Sequence, residues 1–254
     1  MWTAIKAFFK VILYKPLFNL LIFFAWLIPG HSIGWGIIGV TLIVRLLLWH
    51  TSVKALQAPL QLRQHAPELK KIQEKYKDDK QAQAQAQMAF YKENGVNPLS
   101  GCLPLLIQLP ILVILYHLFF VITKQAFPAE LLYHFTPHVL PVNPVFLGIN
   151  LFKPDRFWIL PAVAAVAQFF QTRHIQQLNP TTGAAGDPMA AMNKQMMYLF
   201  PVMIFFFVRA LPAGIALYYL MTSLFSLAQQ VYVAKTFKSK AATAAVTVRS
   251  KKNG

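Results

Sequence analysis

Residues 98–123 run for the length of a bilayer crossing without one Asp, Glu, Lys or Arg. A transmembrane helix needs about 20 mainly apolar residues, and the backbone of such a run must satisfy its own hydrogen bonds, so it has to be helical in lipid. Four more runs repeat the pattern. Residues 33–51 are apolar but for Arg45, residues 156–172 form a shorter run, and 191–208 and 211–234 are parted only by Arg209-Ala210. The expectation is an all-α polytopic membrane protein with five spans. Composition agrees: 56% of the 254 residues are hydrophobic and 13% are charged, about half the charge of an ordinary soluble domain. Mean hydropathy is +0.46. Disorder is excluded, and a soluble enzyme is disfavoured.

The charges are lopsided, with 24 Lys and Arg against 8 Asp and Glu. A nucleic-acid-binding domain would share that excess, but not 21 Phe in apolar runs. Basic cytoplasmic loops explain it directly. If the N-terminus is outside, the inner pieces 52–97, 173–194 and the tail from Lys235 hold 16 Lys and Arg and the outer pieces hold 7. That bias predicts N-out, C-in. Lys6, Lys10 and Lys15 are the misfit. The single cysteine, Cys102, permits no internal disulfide and no CxxC metal site, and its position argues against an N-terminal lipoprotein anchor.

Outside the spans, the sequence divides into five pieces. Residues 1–32 contain the 13-residue run Leu17–Pro29, short for a span and suited to an interfacial or re-entrant helix. A sixth span and a cleaved signal are the alternatives, although no small-x-small cleavage site follows. Residues 52–97 predict a cytoplasmic helical hairpin: Leu69, Ile72 and Tyr76 have helical spacing, KDDK at 77–80 turns the chain, QAQAQAQMAFY at 81–91 is a second helix, and Asn94-Gly95 and Asn97-Pro98 stop it. Pro59 and Pro67 should bend or break the first arm. Such a piece is either a solvated connector or a functional projection. Residues 124–155, with Pro128, Pro137, Pro141 and Pro144, read as an irregular outer cap, and His134 and His138 are a weak metal pair. The loop 179–188 reads as flexible. The tail 235–254, with six basic and no acidic residues, suits anionic lipid or ribosomal RNA equally.

Arg45 is the informative residue. It lies about six residues from the cytoplasmic end of its span, hence ~9 Å deep at 1.5 Å per residue, where a charge costs ~2.5–3.5 kcal/mol on insertion scales. Either it snorkels or it faces a wet cavity. Thr41 shares its helix face. Gln108, Gln168 and Gln171 lie in the second and third spans, and Tyr219, Thr222, Ser226 and Gln229 form a polar stripe on the last. Lipid cannot satisfy such a set; water or other helices must. Taken together they predict a water-filled recess open to the cytoplasm and sealed on the outer side. All eight acidic residues (Glu68, Glu74, Asp78, Asp79, Glu93, Glu130, Asp155 and Asp187) fall outside the spans. This disfavours proton-coupled transport and leaves Arg45 without a counter-ion in its own layer. No GxSxG, HExxH, P-loop or dinucleotide fingerprint occurs, so an enzyme has little support.

Four stretches, IIGVTLIVRLLL (37–48), ENGVNPLSGCLPLLIQLPILVILYHLF (93–119), FWILPAVAAV (157–166) and LPAGIALYYLMTSLFSLAQQ (211–230), resemble the YidC family of membrane protein insertases and its mitochondrial and chloroplast relatives. The second is the most specific, and the resemblance covers about residues 11–236. It implies five spans, an outside N-terminus, a cytoplasmic hairpin and a groove open to cytoplasm and lipid. By the same resemblance Arg45 is the groove arginine, Gln108 the groove glutamine, Trp158 an aromatic or aliphatic position opening the third span, and Tyr218 and Tyr219 the tyrosine pair along which substrates pass. The large periplasmic domain of many Gram-negative members and a lipoprotein cysteine are not found in this sequence, so their processing and outer-domain partners are not carried over.

The implied activity is insertion of small or single-span proteins from the cytoplasm into the bacterial plasma membrane. A polar or acidic segment would enter the groove toward Arg45 while an apolar one slides into lipid, driven by ~25 cal/mol per Å² removed from water, with no cofactor. Expected partners are nascent membrane proteins and the bilayer, with the ribosome (through the basic tail), the signal recognition particle and the Sec translocon as further candidates. Two rivals stand beside this reading: a small-anion transporter or channel using Arg45 as its binding charge, for which no internal repeat is visible, and a purely structural assembly factor.

Overall fold

The computed structural model describes residues 10–95, 103–124, 131–137, 142–178 and 188–252. The Asn97-Pro98 stop, Cys102, Pro128, His138, Pro141 and all but the last residue of the loop 179–188 lie outside the described residues. A π-helical turn, Lys10–Tyr14, leads into α1 (Lys15–Leu27), α2 (Ile33–Leu47), α3 (Trp49–Gln64), α4 (Ala66–Lys75), α5 (Lys80–Glu93) and α6 (Leu103–Lys124). After β1 (Val145–Phe146) and β2 (Ile149–Asn150) come α7 (Ile159–Leu178), α8 (Pro188–Arg209) and α9 (Ala213–Lys252). Among the described residues no single helix is long and apolar enough to cross a membrane; Ile33–Leu47 and Trp49–Gln57, broken at Leu48, reach that length and apolarity only as a pair. The chain forms two compact units.

The first unit gathers the described residues of Met1–Leu48, Ile107–Gln168 and Pro201–Phe225. Its core holds the largest fully buried side chains, among them Phe18, Phe119, Leu21, Ile22, Ile33, Ile37 and Ile215. α1 and α2 pack closely because α2 presents glycines to α1: a methyl group at Gly36 would overlap the Leu21 carbonyl oxygen, and one at Gly39 would overlap the Phe24 ring. Ser32 caps α2, its Oγ accepting the Gly34 amide at 3.2 Å. That satisfies one of the donors a helix start leaves free.

The short apolar helix α1 is also tied from the side. Asn19, 5% exposed, donates from Nδ2 to the carbonyls of Lys15 (2.7 Å) and Leu131 (2.8 Å). Its Oδ1 accepts the Tyr133 amide at 2.7 Å and the Thr136 hydroxyl at 2.6 Å. One buried amide thus satisfies itself completely and binds α1 to the 131–137 segment, as a buried polar group must to avoid its desolvation penalty.

The segment read as an irregular cap contains some order. Val145 pairs with Asn150 and Phe146 with Ile149 in an antiparallel ladder. The turn residues Leu147 and Gly148 have φ of +50° and +81°, the left-handed pair that a two-residue hairpin requires. This hairpin is the exception to an all-α architecture among the described strands and helices. The chain after it closes the start of α9, where the amides of Ala213 and Gly214 donate to the carbonyls of Lys153 (2.8 Å) and Leu151 (2.9 Å).

The second unit gathers the described residues of Trp49–Leu106, Phe169–Phe200 and Ser226–Gly254. Leu60, Leu178, Val233 and Ala234 form its main cluster. α4 and α5 make a helical hairpin through Leu69, which packs on Phe90 and Tyr91, and through Gln83 Nε2, which donates to the Gln73 carbonyl at 3.0 Å. Asp79 caps α5, accepting the amides of Gln81 and Ala82. Pro67 falls in the first turn of α4, where its missing N–H is no loss, so the chain breaks just before it. Pro59 lies inside α3. The helix α9 runs on to Lys252, past the residue where the last span was expected to give way to a separate tail. The extension is rich in Ala and Lys and free of Pro and Gly, so propensity favours its continuing.

Candidate functional site

Three helices of the first unit bring three sequence-distant polar residues together. α2 carries Arg45 in its last turn, α6 carries Gln108 and α9 carries Tyr218. Arg45 Nη2 donates to Gln108 Oε1 at 3.0 Å. Gln108 Nε2 in turn donates to the Tyr218 hydroxyl. The glutamine acts as an oriented relay. Its oxygen must face the guanidinium and its nitrogen the phenol, since the reverse would set one donor against another.

Arg45 is half-buried, and Tyr218 is 3% exposed. Among the described residues no carboxylate pairs with Arg45; the ion pairs found there are His65–Glu68 and Lys70–Glu74. A neutral amide positions the guanidinium without cancelling its charge, and leaves further N–H donors for an incoming group.

The other expected site residues divide. Tyr219 is half-buried beside Tyr218, the rings meeting edge-on at 6.0 Å and 71°. Thr222 is buried one turn further along the same helix, and its hydroxyl finds no hydrogen-bond partner among the described residues. Thr41 is buried, and its hydroxyl donates to the Ile37 carbonyl of its own helix at 2.6 Å. Trp158 keeps different company: Phe205 lies edge-on to it at 6.4 Å and the Arg209 guanidinium stacks 4.7 Å from its ring centroid. Ser226 is buried and belongs to the second unit.

Two contacts add to the sequence reading. Ser223 Oγ donates to Gln168 Oε1 at 2.9 Å, pairing a glutamine of the polar set with the serine next to Thr222. Asn19 escaped notice, although a lone amide in the apolar run Leu17–Pro29 is itself a signal that something must satisfy it. Among the described residues no cluster of His, Cys, Asp and Glu could hold a metal ion.

A family model described as "60Kd inner membrane protein" matches residues 23–240. The membrane protein insertase YidC of Wolinella succinogenes is 35% identical over 234 residues, covering 91% of this chain and 38% of that protein. The protein of the same name from Nitrosomonas europaea is 36% identical over 227 residues, covering 88% of this chain and 32% of that one. This chain thus spans well under half the length of these relatives. A crystal structure of an active YidC insertase with its first transmembrane domain resolved superposes with a TM-score of 0.52 at 29% identity, covering 89% of this chain and 49% of that one. With the family model matching most of its length and a related fold in a solved insertase, this chain belongs to the 60Kd inner membrane protein family, that of the YidC insertases.

Proposed function

We propose that this chain inserts small or single-span proteins into the bacterial plasma membrane, and that the Arg45–Gln108–Tyr218 array is where a polar part of the substrate is held on the way. The observation that carries the reading is a guanidinium held by a neutral amide, with no carboxylate paired to it among the described residues. In a low-dielectric setting an uncancelled cation attracts a passing acidic side chain strongly, yet it gives up its guest when the apolar segment partitions into lipid. Tyr218, Tyr219 and Thr222 extend the polar surface beside it, with Thr41 and Trp158 as further groove positions. Relatives named as membrane protein insertases support the activity.

In this reading the spans are the runs 33–51, 98–123, 156–172, 191–208 and 211–234, with the N-terminus outside and the C-terminus in the cytoplasm, as the distribution of Lys and Arg favours. The α4–α5 hairpin receives the incoming chain, and the basic residues after Lys235 dock a ribosome. The signal recognition particle and the Sec translocon would act upstream and alongside.

Replacing Arg45 with Ala and with Lys in a strain depleted of its own insertase tests this. Insertion of a single-span substrate with an acidic tail should fall with Ala and largely persist with Lys. Full insertion by Arg45→Ala would remove the electrostatic role. Anion flux through proteoliposomes, without insertion, would replace the reading with an anion channel.

A further inference from the structure

We propose that Arg209 and Arg156, with Trp158 and Phe157, form a binding site for the phosphate of an anionic phospholipid at the outer face of the membrane. The proposal rests on the transmembrane reading above. In that reading α8 runs outward and ends at Arg209, while α7 starts from the outside just after Trp158, so two oppositely directed helices deliver these residues to one interface.

The Arg209 guanidinium lies over the Trp158 ring, 4.7 Å from its centroid, and 5.7 Å from the Phe206 ring. Ring contacts of this kind engage none of the N–H donors at the guanidinium's edge. Among the described residues no carboxylate pairs with that edge. An arginine fixed this way is preorganised for bidentate binding of a phosphate.

A second cation stands nearby in sequence, with Arg156 5.9 Å from the Phe157 ring. The acidic residue between Lys153 and Arg156 does not compete. Asp155 is 4% exposed, and its two oxygens accept the amides of Phe157 (3.0 Å) and Leu160 (2.8 Å) at the start of α7. Its carboxylate is turned inward to the backbone, while Arg156 is exposed and Arg209 half-buried against its rings.

The apolar surroundings decide the source of the phosphate. Phe157 is 75% exposed, Phe206 58% and Trp158 48%. Exposed aromatic rings beside arginines suit the membrane–water boundary, where rings meet acyl chains and cations meet headgroups. A site for free phosphate would have no use for that rim. Trp158 also holds φ at +57°, a strained conformation for an aromatic residue, kept while its ring supports Arg209.

The test uses the full chain reconstituted in nanodiscs of equal phosphatidylglycerol and phosphatidylcholine, with lipid retained after release counted by native mass spectrometry. The wild type should retain phosphatidylglycerol in preference. Arg209→Gln should lower that preference about fivefold, the effect of one cation at an anionic surface. Arg209→Lys should keep part of it, having the charge without the fork. Should the Arg209 variants fail to accumulate, Arg156→Gln reads the same site. Equal retention of both lipids by the wild type, or unchanged preference in the folded glutamine variants, overturns the proposal. Displacement of the lipid by inorganic phosphate alone overturns the lipid assignment. A chain that does not embed in nanodiscs refutes the transmembrane reading as well, whereas one that embeds without lipid preference refutes this site alone.

Discussion

Replacing Gln108 with Glu changes one amide nitrogen for an oxygen and tests what Arg45 is for. The Arg45 nitrogen and the Gln108 oxygen are 3.0 Å apart, so a carboxylate in the same rotamer would form a direct ion pair. With an effective dielectric constant of about 20, the gross attraction at that distance is ~5–6 kcal/mol. Desolvating the new carboxylate offsets several kcal/mol of it. The surplus is about 1.5–3 kcal/mol, the range of a hydrogen bond between charged groups. The Tyr218 hydroxyl loses a donor and gains an acceptor, to which its own O–H can turn. The fold should therefore survive while the cation is neutralised from within.

An acidic substrate must then displace the new carboxylate, and its insertion should fall by about 10- to 150-fold. Pulse-labelled insertion into membranes of a depletion strain would follow two versions of one single-span substrate, with acidic and with neutral tails. Only the acidic version should suffer. Undiminished insertion of the acidic substrate by a folded Gln108→Glu protein refutes the reasoning. An equal fall for both tails refutes it too, because the damage would then not be electrostatic.

Asn19→Leu orphans the carbonyl of Leu131, the amide of Tyr133 and the hydroxyl of Thr136; at about 1–3 kcal/mol for a buried group left unpaired, a thermal melt in detergent should show a clear fall in midpoint, and hydrogen exchange should rise at 131–137. Gly36→Ala forces a methyl group into the Leu21 backbone and should destabilise by about 1–3 kcal/mol, read in the same melt, whereas Gly95→Ala, with open space around it but φ of +63°, should cost only its local backbone strain. Leu69→Ala removes a buried side chain joining α4 to α5, and at about 2–5 kcal/mol should expose amides 66–93 to exchange while leaving the first unit protected.

The helical class was legible in the sequence because it depends on sums. Apolar runs of span length, few charges and a biased Lys and Arg distribution each survive any uncertainty about which residue meets which. Helix boundaries were readable where a local signal set them, as with KDDK at 77–80 and Asn94-Gly95, which bound α5; the capping by Ser32 and Asp79 came from the structure. Family membership was legible in the stretch 93–119, and the later matches agree with it. The ladder at 145–150 was missed because two residues per strand give no alternating pattern to find.

Partnerships were another matter. Arg45, Gln108 and Tyr218 could each be marked as costly in an apolar run, but their joining in one chain of hydrogen bonds depends on the rotation and depth of three helices far apart in sequence. A shift of one residue turns a helical side chain by about 100°, and no one-dimensional pattern encodes that. The same geometry turned the Thr41 hydroxyl onto its own backbone, set Trp158 under Arg209, and closed four hydrogen bonds on Asn19. The sequence by itself determined which residues needed a partner, since that follows from their own chemistry and their apolar neighbours; only the tertiary structure decided which partner each received, because that is set by how the helices pack.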